Sequence, residues 1–333
     1  VMRRRAWMGV GAAVLAAGLG LAWRWGQPPA TAPAPAVHRP ATETEVERLR
    51  AHVRMLSETF HPRDSRHPEN LERAADYIAG HLAQAGGHVE SQHFRVDGRD
   101  YRNVIARFGP EDGERIVVGA HYDSARGTPG ADDNASGVAG LLDLAARLGR
   151  QPPLLRVDLV AYTLEEPPHF RTGNMGSAVH ARSLKEAGVR VRAMVALEML
   201  GHFTDVPGSQ EYPLAALKLK YPDTGHFIGV VGTPGDGGLT DTVAEAMRGA
   251  SPLPVESLSA PRALEGVDFS DHGSFWAQGY RAVMVTDTAF FRNPRYHEAG
   301  DTWDTLDYAR MAQAVQGVYA AVRTLAGSPS PAR

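Results

Sequence analysis

The chain has 333 residues, 43% hydrophobic and 22% charged, which suits one large globular domain once a hydrophobic N-terminus is set aside. A formal net charge of -3, with the arginines scattered, leaves no electrostatic footprint for nucleic acid. Because there is no cysteine, disulfides, thiolate zinc sites, a cysteine nucleophile and lipidation at cysteine are excluded, and any metal must be held by His, Asp and Glu.

At the start, Arg3, Arg4 and Arg5 precede an uncharged apolar run from Trp7 to Trp23, followed by Arg24 and a Pro/Ala-rich stretch to Pro40. A run of about 17 residues is at the short end of what spans a bilayer and slightly longer than a usual signal-peptide core. Residues 1–25 are therefore expected to form a signal anchor, with Trp7, Trp23 and Trp25 at the interfaces, or a signal peptide cleaved near Ala34-Pro35-Ala36. Either fate places the rest of the chain outside the cytoplasm, membrane-anchored in the first case and secreted or periplasmic in the second. Residues 26–41 are expected to form the linker, and 42–328 the one large domain.

From Thr42, the steps Val46, Leu49, Val53 and Leu56 predict a helix, and Leu71 to Ala85 repeats the pattern until Gly86-Gly87 ends it. Strands are predicted over 88–96, 101–108 and 115–120, with turns at Asp97-Gly98 and Asp112-Gly113. Helical patterns at 135–148, 176–187 and 239–249 then alternate with apolar runs at 155–162, 191–197, 225–231 and 282–286, before a last helix from Tyr308 to Ala326. This order predicts an α/β sandwich, three layers deep, whose mixed and largely parallel sheet carries functional groups at its strand ends.

Those strand ends hold the chemistry. His121 is the first polar residue after Ile116-Val117-Val118-Gly119-Ala120, and Asp123, two residues on along an extended chain, is placed to orient a metal-bound imidazole. Asp132-Asp133-Asn134 leads into the next helix. Helix capping explains part of that motif, but not two adjacent carboxylates among small residues. Leu155 to Tyr162 is followed by Glu165-Glu166; one glutamate can ligate a metal while the other faces its water as a base. Glu198 ends the next apolar run, and His297 follows Phe290-Phe291. Each residue alone is ordinary, but His, Asp, Glu, Glu, His at the ends of successive core elements form a metal-ligating set.

The motifs His121-x-Asp123-Ser124, Gly130-Ala131-x-Asp133-Asn134-x-Ser136-Gly137, Glu165-Glu166, Gly176-Ser177, Glu198-Met199 and Tyr296-His297 followed by Asp301-Thr302 resemble the zinc metallopeptidases. That family includes secreted bacterial aminopeptidases, yeast aminopeptidase Y, glutamate carboxypeptidase and the transferrin receptor. The resemblance spans roughly Leu49 to Ala326. It implies a zinc-exopeptidase fold of the phosphorylase/hydrolase type and two Zn2+ ions per chain, with Asp133 bridging them, often across a cis peptide. One ion would also be held by His121 and Glu198, the other by Glu166 and His297. Glu198 stands where the aminopeptidases more commonly have Asp.

The resemblance further implies that Glu165 is the general base, that Tyr296 faces the developing oxyanion, and that Asp123 acts behind the ligands. The expected activity is removal of N-terminal residues from peptides. A one-zinc glutaminyl cyclase and a non-catalytic receptor are the alternatives, and retention of both metal sets argues against each. Ser270-Asp271-His272 is expected to be a helix cap beside the site, and 207–223 and 251–266 to be loops shaping an apolar substrate pocket.

Overall fold

The computed structural model describes residues 40–327. Helix α1 (Glu43–Arg54) begins at a capping box, in which the Glu45 N–H donates to the Thr42 hydroxyl and the Thr42 N–H donates to the Glu45 carboxylate. Pro68 opens α2 (Pro68–Gln84), where its missing N–H has no helical partner to lose. Strands β1 (His88–Val96) and β2 (Arg99–Phe108) form a hairpin across Asp97-Gly98, both at positive φ as a tight two-residue turn requires.

Then come β3 (Arg115–His121), α3 (Gly137–Arg150), β4 (Arg156–Tyr162), α4 (Gly176–Glu186) and β5 (Val191–Glu198). The chain continues through β6 (Ile228–Gly232), α5 (Leu239–Arg248), β7 (Val255–Ser259), α6 (His272–Ala277), β8 (Ala282–Thr286) and α7 (Tyr308–Leu325). The eight strands form one sheet in the order β1-β2-β4-β3-β5-β8-β6-β7. Its centre, β4-β3-β5-β8, is parallel; β1, β2 and β6 introduce antiparallel pairings.

The central strands are apolar on both faces because helices cover both. On one face lie α1, α2, α3, α5 and α7, packed through fully buried residues such as Leu141, Leu144 and Met311. Burying each such side chain contributes about 1.5–3 kcal/mol. The other face is covered by α4 and α6 through Phe275, Tyr162 and Met194. This is the expected three-layer α/β/α sandwich with a mixed, largely parallel sheet.

Three local expectations shift. The helix read from Ala135 starts at Gly137, because Asp133 and Asn134 take non-helical angles. The 251–266 stretch contains β7, a short edge strand whose alternating Val255, Ser257 and Ser259 carry too little apolar signal to mark it. The apolar run 225–231 becomes a strand only from Ile228, where pairing to β8 and β7 begins. Residues 1–25 and nearly all of the 26–41 linker lie outside the described residues. Among the described residues, no helix is long and apolar enough to cross a membrane.

Candidate metal centre

Parallel pairing puts the C-terminal ends of β3, β4 and β5 side by side, and the ligand candidates are found there. His121 ends β3, Glu198 ends β5, and Glu165-Glu166 follow β4. Asp133 comes from the loop between β3 and α3, and His297 from the segment after β8. Asp133 lies between the two imidazoles: its Oδ1 is 3.3 Å from His121 Nε2 and its Oδ2 is 3.1 Å from His297 Nε2.

Glu198 Oε2 lies 3.4 Å from His121 Nε2, and Glu166 Oε2 lies 3.2 Å from His297 Nε2. Two donor sets result, His121-Asp133-Glu198 and Asp133-Glu166-His297, each with donor atoms within 4.8 Å of one another. Glu165 Oε2 reaches to 4.0 Å from His121 Nε2 without belonging to either set. The Tyr296 ring stacks on that of His297, with centroids 3.8 Å apart and planes 17° from parallel.

The model of peptidase family M28 matches residues 103–322, about two thirds of the chain. The chain belongs to this family. An uncharacterized Escherichia coli (strain K12) relative, YfbL, is 48% identical over 280 residues, covering 82% of this chain and 86% of its own. Leucine aminopeptidase 1 of Coccidioides posadasii (strain C735) is 27% identical over 221 residues, covering 63% of this chain and 52% of its own, so this chain spans about half its length. Among solved structures, the zinc aminopeptidase BSAP of Bacillus subtilis matches with a TM-score of 0.65 at 16% identity, over 84% of this chain and 95% of that one. A glutaminyl cyclase of Bacteroides thetaiotaomicron matches with a TM-score of 0.61 at 19% identity, over 84% and 97%. Both likenesses are of fold.

In this M28 chain a second layer of polar residues fixes each donor. The Asp301 carboxylate accepts from the backbone N–H of Asp132 at 2.9 Å and of Asp133 at 3.1 Å. Asp132 turns away from the centre and accepts from Gly201 N–H and the Asn293 side-chain amide, each through one oxygen. The Asn134 amide donates to Leu197 O, while its oxygen accepts from Gly137 N–H and Met199 N–H. Gly137 has to be glycine in this clasp: a Cβ there would sit 2.3 Å from Asn134 Oδ1 and 2.7 Å from Leu197 O. Buried Arg63 gathers the loop before Asp133, donating to Tyr122 O, Leu56 O, Pro129 O and Gly130 O.

Asp123 lies behind the ligands, as expected, and serves the glutamate pair as well as His121. Because β3 ends at His121, the chain turns, and His121 Nδ1 lies 3.1 Å from the Asp123 main-chain oxygen but 3.6 Å from its carboxylate. The carboxylate accepts instead from the N–H groups of Glu165 at 3.2 Å and Glu166 at 3.1 Å, fixing the glutamate pair. Asp271 sits at the start of α6 but makes no side-chain capping bond. Ser270 donates to Glu198 Oε2 at 2.6 Å. Asp301 belonged to a recognised motif, whereas nothing in the sequence singled out Arg63, since one arginine among many carries no signal until the loop it anchors is folded.

The electrostatics ask for cations. Asp123, Asp133, Glu165, Glu166 and Glu198 are all buried around two imidazoles and the one Arg63 guanidinium, so acids outnumber cations among them. Burial pushes the Glu165 carboxyl well above the usual carboxylate range; His121 opposes this, and the charges of Glu166 and Glu198 reinforce it. Glu166 rises to about 7, through burial and then Asp133. For His297, burial alone would lower the imidazole, but hydrogen bonds to Asp133 and Glu166 override it and raise it to about 10. Glu166 Oε1 is buried without a hydrogen-bond partner. Crowded carboxylates that hold one another's protons, with an unmatched oxygen, are the chemistry of a divalent-cation site, and an oxygen and imidazole set without sulfur suits zinc.

Proposed function

We propose that the chain is a two-zinc aminopeptidase that removes N-terminal residues from peptides. The observation that carries this is the placement of Asp133, whose two oxygens each face a different imidazole, with Glu198 completing one donor set and Glu166 the other. When bound, the ions would supply positive charge that lowers the pKa of a water molecule and draws electron density from the scissile carbonyl.

The remaining work falls to the protein's side chains. Glu165 takes the water's proton and delivers it to the departing amine nitrogen. Burial, then the negative charge of Asp133 and the glutamates, holds the Tyr296 hydroxyl protonated far above its ordinary range, so it can donate to the oxyanion. Asp123 keeps Glu165 and Glu166 in register by holding their backbone N–H groups. In this reading 42–328 is the catalytic domain, displayed outside the cytoplasm by a membrane anchor or released after cleavage of the N-terminal segment.

Metal content with activity tests the proposal. The zinc-loaded protein is expected to hold two zinc ions and hydrolyse leucyl-p-nitroanilide; a chelator should abolish hydrolysis and added zinc restore it. One zinc with cyclisation of N-terminal glutamine would establish the glutaminyl cyclase reading instead. Full activity in metal-free protein would overturn both.

A further inference from the structure

The sheet face that carries Glu198 continues across three more strands. Glu198 on β5 is the register partner of Thr286 on β8, Thr286 of Gly229 on β6, and Gly229 of Glu256 on β7. Register partners project to the same face, so these four positions form one row. Glycine leaves that row bare at its third position, where an added Cβ would lie 3.3 Å from Thr286 O.

A cavity open to solvent stands over the row. Glu198 and Tyr296 line it on the metal-centre side, Glu256 lines it on β7, and its walls include Phe269, Phe290 and Tyr212. No lysine, arginine or histidine lines it. Glu211 and Glu265 also line the cavity, but Glu211 is paired with Lys218 at 2.6 Å and Glu265, on the loop after β7, stands outside the row. The Glu256 side chain has no hydrogen bond or ion pair among the described residues; Lys220, which feels its charge, is held over the Tyr221 ring at 4.9 Å.

We propose that this trough receives the first side chain of the substrate and that Glu256 selects a basic one, arginine or lysine; the proposal rests on the aminopeptidase reading. Three strand spacings separate Glu198 from Glu256, about 14 Å between Cα atoms, so only a long side chain entering from the metal-centre side brings its end toward Glu256. The aromatic walls suit the apolar stem and attract the cationic head through their ring faces. A neutral side chain of the same length fills the trough but leaves Glu256 unmatched.

The test compares kcat/KM for arginyl-, lysyl- and norleucyl-p-nitroanilide with the zinc-loaded protein, its Glu256→Gln variant and its Glu256→Lys variant. Calorimetric binding of argininamide and norleucinamide to the same proteins reads the pocket independently of turnover. We expect arginyl to exceed norleucyl by tenfold or more, Glu256→Gln to erase most of that ratio, and Glu256→Lys to invert it. Hydrolysis without preference for the basic residues, or an unchanged ratio in both variants, would overturn the pocket while leaving the peptidase in place. Selective argininamide binding without hydrolysis of any substrate would keep the pocket and overturn the peptidase. Neither binding nor hydrolysis would overturn both.

Discussion

Glu165 and Glu166 are adjacent in sequence, equally buried and held by the same Asp123 carboxylate, yet only Glu166 belongs to a donor set. Their roles are therefore separable by one isosteric change at each position. Glu165→Gln keeps the shape and cannot accept a proton, so turnover should fall about 10²–10⁴-fold with both metals and the fold retained. Glu166→Gln should instead cost metal, because an amide is a poorer ligand than a carboxylate for a divalent cation. Rate and zinc content measured on the same samples decide the matter: zinc loss in Glu165→Gln with retention in Glu166→Gln would reverse the assignment. Asp133, Glu166 and His297 stood out only through the motifs around them, whereas His121 and Glu198 were legible directly, each as the first acid or imidazole where a buried strand ends. The work of Asp123 was not, since which atom of a residue faces its neighbour depends on the turn after β3.

At the scale of elements, Asn134 joins the loop bearing Asp133 to the end of β5 bearing Glu198, through hydrogen bonds of 2.8 Å to Leu197 O and 3.1 Å from Met199 N–H, and it accepts a third, of 3.0 Å, from Gly137 N–H at the start of α3. Asn134→Ala leaves the Leu197 carbonyl and the Met199 N–H without their side-chain partner, at about 1–3 kcal/mol each, while Gly137 N–H keeps its bond to the Asn134 main-chain oxygen. Both ligand-bearing segments loosen together, so Tm and zinc affinity should fall in the same variant. Asn134→Asp keeps the two acceptor bonds and places an oxygen against Leu197 O, so it should fall between wild type and alanine. Unchanged zinc affinity in Asn134→Ala would show that the two segments are held independently. Strands such as β3 and β5 were readable because parallel, doubly covered strands are continuously apolar. The edge strand β7 was not, since it is too short and too polar for a period to show, whereas the helix α6 follows the cap expected at Ser270-Asp271-His272.

The whole molecule carries a pH dependence in histidines far from any proposed ligand role. His180 is fully buried and its Nδ1 lies 3.0 Å from the Tyr162 hydroxyl. Burial lowers its pKa from 6.5 to about 4, and His272, the buried first residue of α6, is lowered to about 4 in the same way. Because the folded pKa lies below the unfolded one, the unfolded chain binds more protons between about pH 6.5 and pH 4. Stability is therefore undiminished above pH 6.5 and falls with pH across that window, by about 3 kcal/mol for one such imidazole over the full range. His180→Gln removes this proton uptake while leaving the carboxylates and imidazoles of the metal centre to titrate as before. Thermal unfolding of metal-free wild type and His180→Gln at pH 7 and pH 4.5 isolates the contribution. The variant is expected to gain on wild type by about 2–3 kcal/mol between the two pH values, a shift of several degrees in the Tm difference. A Tm difference that does not change with pH would mean that His180 takes up its proton equally in the folded and unfolded chains, and that the acid sensitivity of the fold lies elsewhere.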